Sequence, residues 1–422
     1  MRVDDRAIPD VFLDPVPILA DWPVRPVFGL DTGLPPSYWD TPEQTWDDTD
    51  AFWDGGWADA TCAFNGCEID TGEPDEAGLF PSARLLLQLD NKTGEWSTLN
   101  PDGTTNRFGP GTEMVAYAHN AESDWWLFHG FISRYDQRAD DTIEVEAFDC
   151  FSDLAQAIGT YTPGVGGEKM GARLTALLAA SGESALRHRF AVGVAALTAQ
   201  ETDAAPLEEM QTVVLSDGGV LFCDADGTLV ALDRLWPAGR DDQVAVPVVS
   251  ANVCTADFVV WDATISSNDD SLADYVSLEN VAKLRSVAGA QPGFKMAFTE
   301  QQWTTQTEGD ILAAFLLELQ QPRQLSIEEF TLYLNDPNQP ELWRAVDWRR
   351  LDHLRFLHNQ RVTGGGTLRV DVTAVLDSLT HEITPEGWSM VVSTAKVRAF
   401  TEPIFYDSGV IYNDTPPEGY GF

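Results

Sequence analysis

The side chains able to do chemistry in this 422-residue chain are scattered. Six histidines, His119, His129, His188, His353, His358 and His381, show no His-Glu-x-x-His or other paired spacing of a metal site. His353 and His358, five apart, fall on opposite faces of a strand. Five cysteines, Cys62, Cys67, Cys150, Cys223 and Cys254, cannot all pair within one chain. Cys62 and Cys67 lack the second Cys or His pair that completes a zinc site, so free or buried thiols are expected. Asp224-Ala225-Asp226-Gly227 opens like a calcium loop but lacks the later ligands, the twelfth-position Glu among them, and reads as a hairpin turn. Gly164, Gly166 and Gly167 precede a helix without the Lys-Ser/Thr of a phosphate loop or the glycine spacing of a dinucleotide fingerprint; they read as a hinge.

A glycosidase needs two carboxylates about 5–10 Å apart. Asp149, after an alternating strand and next to Phe148, is the carboxylate best placed for partial burial. The expectation for it is a structural role, satisfied by backbone amides. No Gly-x-Ser-x-Gly elbow occurs. The sequence therefore assigns no catalytic residue, no metal ligand and no cofactor.

The overall charge narrows the partners. With 67 acidic and 26 basic residues the formal net charge is −41. A protein held to nucleic acid by its field needs clustered Lys and Arg, and so does one held to an anionic membrane, so both are excluded. At 44% hydrophobic and 22% charged residues the composition is that of a globular chain with a sizeable core. No run approaches the ~18 apolar residues of a membrane span. The start, MRVDDRAIPD, has neither a basic nor an apolar signal region, so no signal peptide is expected. Lys is scarce and Arg common, which fits a high-GC genome and, with the acidity, also a salt-loving source.

The elements that must position these residues are mostly strands. Residues 1–54 are rich in Pro, Asp and Trp and read as an extended arm. Its rings, Trp22, Trp39, Trp46 and Trp53, with Trp57 just beyond, dock on this or a neighbouring subunit, or form a sugar-stacking surface. From Thr61 to Ser152, Ala83–Leu89, Glu113–Ala118, Trp126–Ile132 and Ile143–Ala147 alternate at period two, as half-buried strands do. Met170, Leu174, Leu177 and Leu178 fall on one helix face, with Gly182 as C-terminal cap. Pro206 opens a second helix through Leu207, Met210 and Val214 to Gly218. A hairpin follows, Val220–Cys223 and Thr228–Leu232. Strand texture resumes at Tyr275–Leu284, one helix carries Leu312, Phe315, Leu316 and Leu319 before Pro322, and Leu379–Ile383 turns through Pro385 and Gly387 into Trp388–Val392.

The order of these segments resembles that of tail-tip hub proteins, the minor tail proteins of long-tailed phages. Pro110-Gly111-Thr112, Leu127-Phe128-x-Gly130-x-Ile132 and Ile143-x-Val145-x-Ala147-x-Asp149 resemble the family's first domain. The Leu174–Gly182 and Met210 helices, with the Gly219–Gly227 hairpin, resemble its second. Glu279-Asn280-Val281 resembles its re-entry into the barrels, and His381-Glu382-Ile383-Thr384-Pro385-x-x-Trp388 its closing signature. The resemblance covers roughly residues 60 to 400.

What the resemblance implies is a mainly β architecture with α/β inserts: two tail-tube-like β-barrels, a small α/β domain and a helix-containing insert. The expected division is a 1–54 arm, a first barrel at 55–160 completed by 245–285, an α/β insert at 161–244, a helix-containing insert at 286–340, a second barrel at 341–400 with strands from 276–300, and a 401–422 arm. The family implies a structural, non-enzymatic virion protein of the tail tip, made in the host cytoplasm. Three copies would place six barrels in a pseudo-sixfold ring that adapts the tail tube to the tip. Partners implied are a second and third copy, the tail tube or distal tail protein, the tape-measure protein and other tip proteins, with DNA passing unbound. Alternatives are a hexameric distal tail protein, a carbohydrate-binding tip protein acting through the tryptophan-rich arm, and a wall-degrading glycosidase. In a trimer the acidity is expected to face lumen and solvent, where like charge keeps DNA from sticking, with the few Arg kept for protein contacts.

Overall fold

A computed structural model describes residues 22–31, 57–74, 79–98, 108–120, 123–157, 166–183, 186–199, 205–234, 261–266, 275–289, 295–319, 326–337, 342–361 and 367–394. The expected arms at 1–54 and 401–422 lie almost wholly outside these residues, as do Cys254, Trp39, Trp46 and Trp53.

The first β region holds β1 (Arg25–Asp31), β2 (Trp57–Asp59), β3 (Phe64–Asp70), β4 (Arg84–Asp90), β5 (Glu113–His119), β6 (Asp124–Gln137) and β7 (Thr142–Phe148). They pair antiparallel in the order β3-β4-β7-β6-β5-β1-β2. Alternation decides which side is core: Leu85, Leu87 and Leu89 of β4 and Ile143, Val145 and Ala147 of β7 are buried, while Gln88 points to solvent. Gly130 of β6 is required by contact, since a Cβ there would meet the Phe148 carbonyl oxygen at 2.1 Å.

This region curls on itself. Phe28 of β1 stacks on Phe64 of β3 with ring centroids 5.2 Å apart, although four strands lie between them in the sheet order. Phe28 also donates its backbone N–H to Thr61 Oγ1 (3.0 Å) and accepts one from Ala60 (2.9 Å). Thr61–Ala63 is a one-turn 3-10 helix that links β2 directly to β3, so the two end strands are joined covalently. Among the described residues no hydrogen-bonded ladder completes a barrel.

The chain leaves this region through α1 (Cys150–Gln156) and enters the α/β module: α2 (Met170–Ser181), β8 (His188–Phe190), α3 (Pro206–Asp217), β9 (Val220–Cys223) and β10 (Leu229–Leu232). Helix ends follow the sequence: Gly182 and Gly218 take left-handed caps and Pro206 starts α3. The short β8, which the sequence pattern does not reveal, pairs parallel to β10. The β9–β10 hairpin is buried on both faces. Leu221, Cys223, Leu229 and Ala231 pack with Leu174, Leu177, Met210 and Val214 of the helices, whereas Val220, Phe222, Val230 and Leu232 pack with Phe80. Cys150, Phe151 and Leu154 of α1 share the module's core, so the module begins about ten residues earlier than the expected boundary at 161.

Beyond the module come β11 (Trp261–Ser266), β12 (Tyr275–Asn280), β13 (Arg285–Gly289), β14 (Lys295–Gln301), α4 (Gln306–Leu319), β15 (Ser326–Tyr333), β16 (His353–Arg361), β17 (Thr367–Thr384) and β18 (Gly387–Thr394). Three expectations are corrected here. The strands within 276–300 do not join the second β region; they pair among themselves in the order β13-β12-β14, covered by α4. Nor does 261–280 complete the first region, because β11 pairs with β15, and 245–260 lies outside the described residues. And β15, placed by the expected boundaries in an insert, runs between β11 and β18. The reason is common to all three: alternation shows which face of a strand is buried, not which neighbour it pairs with. Asn280, read as a re-entry point, instead ties the β12–β13 turn to the chain beyond β14. Its side chain donates to the Trp303 carbonyl (2.9 Å) and accepts from the Leu284 N–H (2.9 Å).

The second β region runs β11-β15-β18-β17, with β16 also on β17. β17 is 18 residues long and pairs with β16 over 367–375 and, along one side, with β18 over 376–384. On its other side Thr380–Ile383 pairs with Cys67–Asp70 of β3. That pairing fuses both regions into one twelve-stranded sheet over a shared core that includes Leu30, Ile69, Leu87, Phe330, Leu376, Trp388 and Met390.

Candidate assembly surfaces and the polar joints behind them

The carboxylates singled out in the sequence have local structural partners. Asp149 caps α1, its Oδ1 accepting from Phe151 N–H (3.0 Å) and Ser82 Oγ–H (2.6 Å) while Oδ2 accepts from Ala83 N–H (2.8 Å). Both carboxylate oxygens are thus committed to holding α1 against the start of β4. Asp224 and Asp226 shape the hairpin turn: Asp226 Oδ1 accepts from Thr228 N–H (2.9 Å), and Asp224 Oδ2 meets Arg189 Nη2 at 2.9 Å. Gly167 has φ +91 and bonds to the Leu197 carbonyl.

The histidines are equally dispersed. His119 pairs with Asp124 (2.5 Å), His129 with Glu113 (2.6 Å) and exposed His188 with the Leu186 carbonyl (3.0 Å), while His353 and His358 fall on β16. His381 is buried and accepts the Trp388 indole N–H at its Nδ1 (3.2 Å). Burial, with Arg349 nearby, pushes the His381 pKa down to about 3, so the ring stays neutral and can accept. No group of three His, Cys, Asp or Glu among the described residues could hold a metal ion. Cys62 is exposed, and Cys67, Cys150 and Cys223 are buried free thiols.

Sequence reasoning missed the joints. Where the α/β module meets the β12–β14 unit, fully buried Gln302 uses every polar group it has. Its Oε1 accepts from Arg173 Nη1 (2.5 Å), its Nε2 donates to Glu209 Oε1 (2.7 Å), its N–H donates to Ser216 Oγ (2.8 Å) and its carbonyl accepts from Thr198 N–H (2.7 Å). Arg173, also fully buried, completes its fork on Glu168 Oε2 (3.0 Å) and the Thr198 carbonyl (2.7 Å). These residues are up to 129 positions apart, so no local pattern could bring them together.

A second joint lies between the hairpin and the large sheet. Arg350 is buried over the Phe80 ring (4.9 Å) and reaches the Gly72 carbonyl (3.3 Å), with Asp149, Asp224 and Asp70 supplying opposite charge. It borders a small cavity of about 30 Å³ lined also by Trp126, Asp224, Trp348 and His381. Neighbouring Asp352 accepts from Arg349 N–H (2.9 Å), yet burial pushes its carboxyl up to about 8. At the hairpin tip Gly227 (φ +79) lies against His129, where a Cβ would come within 2.1 Å of the ring. Arg173 and Arg350 are thus spent inside the protein.

The surface features are edges. Strands β2 and β11 end the eleven-strand path of the twelve-stranded sheet, with β16 off it on β17. β16 and the 367–375 stretch of β17 form a ribbon of nine residue pairs, about 30 Å long at ~3.3 Å per residue. No other described strand pairs with either edge of the ribbon. A lone two-stranded ribbon is marginal in water, and free edges invite pairing. Residues 353–370 hold three arginines, two histidines and no acidic residue, in a chain whose net charge is −41.

No family model matches this sequence, and no curated protein does either. Solved structures do share its fold. A 43 kDa tail protein of prophage MuSo2 from Shewanella oneidensis aligns with a TM-score of 0.54 at 12% identity, covering 88% of this chain and 98% of that one. A tail protein from Neisseria meningitidis MC58 aligns with a TM-score of 0.52 at 12% identity, covering 81% and 94%. The mainly β fold of this chain is therefore similar to that of these tail proteins.

Proposed function

We propose that this chain is a structural component of a phage tail and, within the tail, the tip hub. In this reading three copies form a ring that adapts the hexameric tube to a trimeric tip. The ring lines part of the channel for DNA and the tape-measure protein. The observation that carries it is the pairing of β17 with β3, which fuses two β regions in one chain. A chain with two tube-like regions supplies six from three copies, whereas a distal tail protein with one such region needs six copies. The ribbon, with three arginines against the single acid Asp371, adds support, because a basic segment suits contact with a neighbouring copy of so acidic a chain. Asp149, Asp224 and Asp226, the carboxylates singled out in the sequence, are committed to turns and caps.

The test is the copy number and symmetry of this chain in purified particles by electron cryomicroscopy. Three copies around a channel is the expected result. Six copies in a single ring would overturn the hub reading in favour of the distal protein, and absence from the particle would overturn both.

A further inference from the structure

We propose that Cys150 and Cys223 are a cross-linking site that closes to a disulfide in oxidising surroundings and locks α1 to the β9–β10 hairpin. Their sulfurs lie 3.1 Å apart, and both residues are buried in one apolar cluster. The two sulfurs thus already touch, and closing the bond needs only a small further approach. Cys150 opens α1 directly after the Asp149 cap, which is bonded to Ser82 and Ala83 at the start of β4. Cys223 ends β9, the hairpin strand packed between the module's helices and Phe80. Each thiol therefore sits on a segment whose backbone is held independently, which is what presents the pair face to face.

The oxidant required is a small-molecule disulfide, RSSR. One protein thiolate attacks a sulfur of RSSR, forming a mixed disulfide and expelling RS⁻, which takes up a proton. The second protein thiolate then displaces the remaining RS⁻ and forms the Cys150–Cys223 bond. Two protein thiols and one RSSR become one protein disulfide and two RSH, with two electrons passing to the reagent. The Cys150 contact, then burial, holds the Cys223 thiol well above its ordinary pKa, so attack waits for the joint to open. The same burial shields the finished bond from reductants. Cys62 is exposed and Cys67 is buried on β3, so neither competes from within this cluster.

The experiment uses the full chain, purified reduced and then incubated with oxidised glutathione. Remaining thiols are trapped by alkylation in denaturant, and peptides are mapped by mass spectrometry. The expected result is a Cys150–Cys223 linked peptide as the dominant form of both residues, two hydrogens lighter than the reduced pair. Its thermal midpoint should rise by roughly 5 °C or more over the reduced chain. Cys223→Ser should lose the linkage and the redox dependence of the midpoint. The proposal falls if Cys150 and Cys223 are recovered mainly as alkylated thiols while exposed Cys62 has reacted, or if either links mainly to another cysteine. Because the mapping is done on the unaltered chain, it decides the matter even if the variant fails to fold.

Discussion

Trp22 and Trp388 lie with ring centroids 6.5 Å apart, yet they belong to opposite parts of the sheet. Trp22 stands just before β1, near one end of the strand path, and Trp388 sits in β18, near the other. Their contact shows that strands of both β regions pack around a common core. Trp388 is 1% exposed and donates its indole N–H to His381. Trp388→Ala should destabilise the chain by about 3–5 kcal/mol, the range for emptying a large aromatic site. Trp22→Ala, at a partly buried position, should cost less. Chemical denaturation of the two variants measures the difference, and equal, negligible effects would contradict the shared core.

Gln302 is the keystone of the joint between the module and the β12–β14 unit. Gln302→Leu would leave Arg173 Nη1 and Glu209 Oε1 buried without that partner, at a cost of about 1–3 kcal/mol for each group. The coupling should appear as strong non-additivity with Arg173→Met in a double-mutant cycle. Additive effects would mean that the network is not a single unit.

Gly227 has two reasons to be glycine, its positive φ and its contact with His129. Gly227→Ala should therefore destabilise by about 1–3 kcal/mol. Adding His129→Ala should recover only part of the loss, because it relieves the contact and not the backbone strain. Full recovery would show that the contact alone matters.

Asp352 and His381 oppose each other in pH. The folded chain keeps a proton on Asp352 that the unfolded chain releases above about 4. The stability from this group is therefore fully present below about 4 and is lost as pH rises toward about 8. Asp217, raised to about 6 by burial, acts the same way over a lower window. His381 stays neutral down to about 3, so its contribution is lost as pH falls from about 6.5 toward 3. Between pH 6.5 and 8 Asp352 acts alone among these three, and thermal midpoints should fall across that interval. Asp352→Asn should flatten the fall; a variant as steep as the wild type would assign it elsewhere.

The ribbon tests self-assembly. Replacing Arg355, Arg361 and Arg369 with Glu should weaken association between copies at least tenfold at low salt and change the far-ultraviolet circular dichroism little. Sedimentation across a salt series reads the effect. Unchanged association would remove the ribbon from the interface.

Local order was legible in the sequence wherever period and punctuation agree. Leu85 to Leu89, Ile143 to Ala147, the Pro206 start, the Gly182 and Gly218 ends and the Asp224–Gly227 turn all stand as read. The structural role of Asp149 was legible too, since a carboxylate between a strand and an apolar helix start has amides within reach. Partnership between elements was not. Val276 and Leu278 alternate as any half-buried strand does, and only the packing of Trp303 and Leu312 shows that they face α4. Gln302, Arg173 and Glu209 carry no local signal, because each is an ordinary polar residue until the fold brings the others to it.

β17 has a mechanical consequence. One unbroken strand carries the ribbon at its start, holds β18 along its second half and grips β3 of the other region near its end. Force applied to the ribbon would run along a covalent backbone into both regions, with no loop between to absorb it. In a tail component of the kind proposed, such a strand is a lever. A neighbour that tilts the ribbon would tilt both regions together, and a disturbance at one rim of the ring would reach the wall of the channel as a single stiff displacement.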